Sequence, residues 1–296
     1  MVALRRIGVA AVQSGIDPDW TPVEWRDHLR WQLASCREAG VHLAVFPAWS
    51  GVYRESFPDG FPLRAFGTLL RLMGDLAREA SLYLIPGTIP LRYGNGEIRL
   101  SSPLLGPAGE FLGMQEEIGP PPGYASGEGI AVFTTPWGRI GIAVDNDAAV
   151  PEIGRILALR GAEIVCHPAA HPAPFKREQW TLGLPQLVEA NLVIGLEAPL
   201  VGSFAGKAHE GLARVLAPAA MTRDGSGILA CTADFSRTEI LVAEVDLDEL
   251  EPARRASPIF GRFNLDLYRR TLPAAYRRLA ASATGQGEEA GADGRA

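Results

Sequence analysis

The chain has 296 residues, of which 47% are hydrophobic and 21% charged, and its formal net charge is −6. Such values are typical of a soluble globular protein with one large domain or two modest ones. The acidic balance, without a long basic run, argues against nucleic acid or an anionic membrane surface as a partner. No stretch approaches the roughly 20 apolar residues of a membrane span. Three scattered cysteines indicate a reducing compartment, so we expect a cytoplasmic location.

The first third of the chain alternates strand-like runs with amphipathic helical patterns. Strands are predicted over residues 6–13, 41–47, 82–85 and 98–105, and helices over 25–39 and 66–80. Gly40 follows the first helix as a stop signal. Asn95-Gly96 predicts a hairpin turn before the strand at 98–105, because Asn-Gly accepts the positive φ of a two-residue turn.

The stretch GIAVDNDAAVPE, residues 141–152, predicts a strand, a sharp turn and a helix that Pro151 opens. Beyond it we predict strands over 162–167, 192–196, 214–217, 227–232 and 240–245, and a helix over 180–190. Residues 285–296 are poor in hydrophobic side chains and are expected to form a disordered tail. The alternation of strands and helices indicates a layered α/β fold.

Several short segments, in consistent order over roughly residues 5 to 250, carry a family resemblance. They are AVQ at 11–13, VFP at 45–47, FTTPWGRIGIAV at 133–144, VPE at 150–152, RILALRGAEIVCHPAA at 155–170 and the helix residue Glu189. Together they resemble the carbon–nitrogen hydrolase (nitrilase/amidase) superfamily. The resemblance implies a four-layer α-β-β-α sandwich of two mixed sheets, forming one domain over residues 1–284. It also implies assembly into a homodimer or a larger homo-oligomer.

The same resemblance implies a Glu–Lys–Cys catalytic group. The cysteine attacks a nitrile or amide carbon, the glutamate acts as general base, and the lysine stabilises the developing negative charge. Carried over to this sequence, the base position falls on Ala48, the lysine position on Glu117 and the cysteine position on Asp145. Alanine accepts no proton, and Glu117 has the wrong sign for the lysine's role. The residues therefore predict that the family reaction has been lost.

Other residues offer weaker candidates for chemistry. Cys166 and His167 are adjacent on a predicted strand and so point to opposite faces, which favours Cys166 as a buried apolar side chain. Pro168 lies between His167 and His171, a spacing that does not favour a metal site. We expect no metal and no other cofactor. Asp147 is interpreted either as a cap of the following helix or as part of a ligand site.

We predict a binding or scaffold pseudoenzyme with an acidic pocket. Its ligand-binding candidates are Trp49, Tyr53, Glu117, Asp145, Asp147 and His171. If Glu117 and Asp145 lie within about 4–6 Å, their like charges raise one pKa, and the pair suits a cationic or amine-bearing small molecule. One alternative is an active hydrolase that uses Asp145 or Glu117 in a new role. Another is a structural subunit that assembles with an active homologue. Apolar residues within 263–279 are candidates for a contact between subunits.

Overall fold

The computed structural model describes residues 5–17, 19–51, 59–257 and 259–283. The chain divides into two compact units, Met1–Ala256 and Ser257–Ala296. Residues 285–296 lie outside the described residues, so the proposed boundary between domain and tail at residue 284 stays a prediction. Across the described ranges, no helix has the length and apolar character needed to cross a membrane.

Among the described residues of the first unit, short strands dominate, and five α-helices accompany them. The strands are β1 Arg6–Gln13, β2 Leu43–Val45, β3 Phe61–Pro62, β4 Tyr83–Ile85, β5 Ile89–Arg92, β6 Ile98–Leu105, β7 Phe111–Glu116, β8 Val132–Thr134, β9 Arg139–Ile142, β10 Ile164–Ala169, β11 Ile194–Pro199, β12 Gly202–Phe204, β13 Lys207–His209, β14 Arg214–Leu216, β15 Ile228–Cys231 and β16 Glu239–Asp246. The helices are α1 Pro22–Glu38, α2 Phe66–Ala80, α3 Pro151–Leu159, α4 Leu184–Asn191 and α5 Leu250–Ala256. In the second unit, α6 spans Leu265–Ala283.

Two mixed sheets form the centre of the first unit. The first has the order β16-β1-β2-β4-β6-β5-β3, with β7 paired to β6, and the second has the order β15-β14-β11-β10-β9-β8. Apolar side chains of β1, β2 and β4 face those of β9, β10 and β11 in one buried cluster, and a second cluster packs α1 and α2 on the outer face of the first sheet. This arrangement confirms the predicted four-layer sandwich.

Helices α3 and α4 cover the outer face of the second sheet. They approach closely because glycines leave room for their side chains. A Cβ atom at Gly141 would lie 2.8 Å from Leu157 Cδ2, and one at Gly195 would lie 2.6 Å from Val188 Cγ2. The strands that carry these glycines, β9 and β11, flank β10, whose end lies beside the turn after β9.

The predicted elements differ from the observed ones at helix starts and in several short strands, since β3, β7, β12 and β13 were not predicted. The helix over 66–80 and the hairpin before β6 are confirmed. Helix α1 begins at Pro22, earlier than predicted, because Thr21 and Glu24 form a capping box. The prediction of a helix over 180–190 was wrong in its first turn. Residues Arg177–Trp180 form a 3-10 turn, and α4 begins only after Gly183, whose φ is 70°.

Candidate functional site

Ala48, Glu117 and Asp145 each lie just beyond the carboxyl end of a strand. Ala48 follows β2 in the first sheet, and its N–H donates to the carbonyl of Ala169, the last residue of β10, at 3.3 Å. Asp145 follows β9 in the second sheet, and its Oδ1 accepts from the N–H of Ala170 at 2.9 Å. The end of β10 therefore joins these two positions across the sandwich.

Asp145 occupies a sharp elbow. Its φ is 41°, in the left-handed region that non-glycine residues seldom adopt, and a 3-10 turn over Asp145–Ala149 follows it. The backbone carbonyl of Asp145 accepts from His167 Nε2 at 2.8 Å. Burial raises the pKa of the Asp145 carboxyl, although the Ala170 N–H and nearby histidines oppose that shift. The elbow is thus held by hydrogen bonds to His167 on β10 and to Ala170, which follows β10. The Asp145 carboxyl favours its neutral form more than a free aspartate does.

Glu117 follows β7 directly and is fully buried. Its Oε1 accepts from Asn146 Nδ2 at 3.0 Å and from the Asn146 N–H at 3.3 Å, so the carboxyl faces the elbow. Its Oε2 has no hydrogen-bond partner among the described residues. Burial, and secondly the charge of Asp145, raise the pKa of Glu117 to about 8. The expected pKa rise is present, but burial contributes more to it than the like charge.

Asp147 has a different role from the helix cap considered above. Its carboxylate accepts from the N–H groups of Ile118 at 3.0 Å and Gly119 at 2.9 Å, and the residue that caps α3 is Val150. The cap interpretation was wrong because the 3-10 turn places Asp147 ahead of the helix. Its side chain instead fastens the segment after Glu117 to the elbow, which fixes the two acids relative to each other.

Aromatic side chains lie beside the elbow. Trp49 has a φ of 67°, and its ring centroid lies 5.5 Å from that of Phe204 and 5.9 Å from that of Tyr124. Burial and then the charge of Glu117 raise the pKa of Tyr124, which places this tyrosine near the acid. Tyr53 lies outside the described residues. Tyr124 was not anticipated from the sequence. Trp49 packs against the buried cluster of Ile16, Leu200 and Phe204.

A row of charged side chains crosses the second sheet on the face opposite to the apolar core. His167 on β10 pairs in register with Glu197 on β11, and Glu197 pairs with Arg214 on β14. Arg214 Nε donates to Glu197 Oε2 at 2.5 Å, and His167 Nδ1 lies 3.5 Å from Oε1. Burial alone would raise the pKa of Glu197, but the charge of Arg214 and the two neighbouring histidines hold it well below its usual range.

His171 completes this row and faces a cavity. Its Nε2 lies 2.9 Å from Glu197 Oε1. The cavity has a volume of about 280 Å³ and lies between the elbow and the segment that leads into α4. Its lining includes Asp145, His171, Glu178, Leu182 and Leu184. The structure therefore brings His171 and Asp145, both predicted as site residues, to one cavity.

The three cysteines do not line this cavity. Cys36 is buried in α1, Cys166 in the core between the sheets, and Cys231 is partly buried in β15. The burial predicted for Cys166 is confirmed, and burial raises the pKa of all three thiols. Within the described ranges, no three His, Cys, Asp or Glu side chains cluster in a way that could hold a metal ion.

Glu197 and Arg214 were missed in the sequence. A signal for them exists: each is a single charged residue inside an otherwise apolar run, VIGLEAPL at 193–200 and LARVLAP at 212–218. Charged residues are almost never fully buried unless they are paired. Two isolated charges of opposite sign in buried strands therefore predict each other as partners.

The fold and the elbow define the class of protein. The carbon-nitrogen hydrolase family model matches residues 8–255, and the chain belongs to that family. It is similar to omega-amidase NIT2 from Bos taurus, with 25% identity over 226 residues that cover 72% of this chain and 78% of the relative. Omega-amidase NIT2 from Homo sapiens is 24% identical over 250 residues, covering 80% and 83%.

Solved structures show the same fold at low sequence identity. A carbon-nitrogen hydrolase from Helicobacter pylori G27 superposes with a TM-score of 0.76 at 20% identity, covering 90% of this chain and 98% of the other. Nit3 from Saccharomyces cerevisiae, a member of branch 10 of the nitrilase superfamily, gives 0.72 at 20% identity, covering 87% and 97%. These similarities establish the architecture around the elbow.

Proposed function

We propose that this chain is a ligand-binding member of the carbon–nitrogen hydrolase family that has lost the family reaction. The observation that carries the proposal is Glu117, a buried acid beside the elbow whose Oε2 has no hydrogen-bond partner in the described part of the chain. The family resemblance implies a lysine at this position, where a cation would stabilise the developing oxyanion. A carboxyl group there supplies no positive charge. Asp145 at the elbow and Ala48 opposite complete the loss of nucleophile and base.

The ligand that suits this elbow is a small molecule with a cationic amine. The raised pKa values of Glu117 and Asp145 favour their protonated forms, and a cation opposes this because a positive neighbour favours the ionised form. Binding is then coupled to proton release, and affinity increases as the pH rises toward the pKa of Glu117, about 8. The free cysteines suit a reducing cytoplasm, which we propose as the location.

A second candidate is a hydrolase in which Glu117 acts as a general acid or base. The observation in its favour is the pKa of about 8, close to a working pH, which is the condition for efficient proton transfer. This candidate requires Asp145 or a water molecule as the nucleophile. Both candidates use the same two acids and differ in whether a bond is broken.

Turnover of a panel of amides and nitriles, followed by mass spectrometry, separates the two. The wild type is assayed beside Asp145→Asn and Glu117→Gln, with a purified omega-amidase relative as positive control. We expect no turnover by the wild type above the buffer blank. Turnover that disappears in either variant would overturn the proposal and establish the hydrolase. Turnover equal in the wild type and both variants would point to a contaminant or to another site, and would exclude these two acids as its source.

A further inference from the structure

We infer that the cavity beside the elbow binds a primary ammonium group, with Asp145 and His171 as its hydrogen-bond acceptors. The inference rests on the proposed function, because it specifies the chemical class of ligand at the same elbow. It adds a residue, His171, whose acceptor nitrogen is set by the hydrogen bond of the other ring nitrogen to Glu197.

The size of the cavity limits the ligand. Its volume is about 280 Å³, and since one water molecule occupies about 30 Å³ of liquid, it holds roughly nine groups of that size. Leu182 and Leu184 supply an apolar part of the lining, while Asp145, Glu178 and His171 supply polar atoms. A short aliphatic amine fits both the volume and this mixture, with its carbon chain against the leucines.

The row of charges fixes which nitrogen of His171 carries a proton. Glu197 is buried and ionised, and an ionised carboxylate only accepts hydrogen bonds. His171 Nε2, at 2.9 Å from Glu197 Oε1, therefore carries the hydrogen. In a neutral imidazole the other nitrogen, Nδ1, is then an acceptor. No hydrogen bond between described residues engages His171 Nδ1, which leaves it available to a ligand.

Arg214 pairs with the carboxylate that orients His171. Its guanidinium compensates the charge of Glu197. Arg214 is itself held on its other side, where it donates to the carbonyl of Gln179 at 3.0 Å. Glu197 and Arg214 are thus positioning residues, and His171 is the residue that touches the ligand.

The acceptors select against other ligand classes. An ammonium group has three N–H donors, and Asp145, His171 and Glu178, which all line the cavity, each carry atoms that accept hydrogen bonds. A quaternary ammonium has no N–H and so donates a hydrogen bond to none of these acceptors. An anion meets two carboxyl groups. Primary ammonium is therefore preferred over both.

The test is calorimetric titration of the full chain at pH 8 with butylamine, butyltrimethylammonium and butyramide. The first variant is His171→Phe, which keeps an aromatic ring but loses the acceptor nitrogen. The second is Glu197→Gln, which removes the carboxylate that fixes the tautomer of His171. His42→Phe, an exposed histidine on the connection before β2, is the matched control. We expect butylamine to bind at least tenfold more tightly than its trimethyl analogue. His171→Phe reduces that ratio about tenfold, as expected for one lost hydrogen bond to a charged group.

The outcomes distinguish this inference from the proposed function. Equal binding of butylamine and its trimethyl analogue, or an unchanged ratio in His171→Phe, overturns the inference and leaves a cation-binding elbow. Binding of butyramide alone overturns both the inference and the cationic ligand. A nitrogen-15 spectrum of the wild-type imidazoles provides a check that needs no variant. Nδ1 of His171 is expected to be unprotonated at pH 8 and to shift on addition of butylamine, and a protonated Nδ1 overturns the inference.

Discussion

Glu117 couples the stability of the fold to pH through a single proton. Its pKa rises from 4.5 to about 8 on folding, chiefly through burial. The native state therefore holds this proton more tightly than the unfolded chain, and its contribution to stability falls as the pH rises from about 4.5 to about 8. The neutral form is the one that the site accommodates without an added ligand.

Glu117→Gln is expected to stabilise the protein at pH 8 by about 2–4 kcal/mol and to have little effect near pH 4.5. Glutamine is neutral at every pH, and its carbonyl oxygen retains the bonds from Asn146. Urea denaturation at several pH values measures the difference. Glu38→Gln, at an exposed position of α1, serves as the control and should show no such trend. An equal effect of Glu117→Gln at both pH values would contradict the raised pKa.

At the level of the elements, the charged row across β10, β11 and β14 joins three adjacent strands. Arg214→Met is expected to lower the free energy of unfolding by about 3–5 kcal/mol, because it leaves Glu197 buried and without its main partner. The double variant Glu197→Leu/Arg214→Met should recover most of that loss, since no charge remains uncompensated. Chemical denaturation of the single and double variants measures the coupling.

Arg237→Met is the control for that experiment. Arg237 pairs with Asp234 on the surface, and its side chain is 79% exposed. Exposed ion pairs contribute about 0–1 kcal/mol, so the free energy of unfolding should change little. If the double Glu197/Arg214 variant were as unstable as Arg214→Met, the loss would come from packing, and the explanation by an unpaired charge would be wrong.

The sequence predicted the elements whose signals lie within the element or its adjoining turn. Helix α2 has its apolar stripe, and the hairpin before β6 has Asn95-Gly96, so both were placed correctly. The start of α4 was not, because it depends on Gly183 and on a 3-10 turn that hydrophobic periodicity does not register. Of the candidate site, the sharp turn at Asp145 was predicted, and the role of His171 in ligand binding stays a prediction. The raised pKa of Glu117 depends chiefly on burial, and the link from His171 to Glu197 depends on strand register.

For the whole molecule, α6 provides the basis for a prediction of self-association. Its exposed apolar side chains include Leu265 at 57%, Leu272 at 45%, Tyr276 at 46% and Leu279 at 66% exposure. Apolar patches of this kind on a helix mark surfaces for protein contact. We expect a homodimer or larger homo-oligomer, in agreement with the expectation from the family resemblance.

Light scattering during size-exclusion chromatography tests this at micromolar concentration. Leu272→Glu/Leu279→Glu is expected to shift the protein toward the monomer, while Arg278→Glu, on the same helix, should leave the mass unchanged. The paired leucine substitutions introduce charge into the apolar surface, whereas the arginine substitution changes charge without removing apolar area. A wild type that elutes as a monomer would refute self-association.

Glu197 and Arg214 lie opposite each other on neighbouring strands. This pairing limits how the two strands can align while the chain folds. Side chains alternate between the faces of a sheet, so a slip of β14 by one residue against β11 would bring Val215 opposite Glu197 and turn Arg214 toward the apolar core. Such a misaligned state would bury two unpaired charges. Apolar strands tolerate shifted pairings among similar side chains, but this pair does not. The ion pair therefore destabilises incorrect alignments of β14 and β11 more than it stabilises the correct alignment.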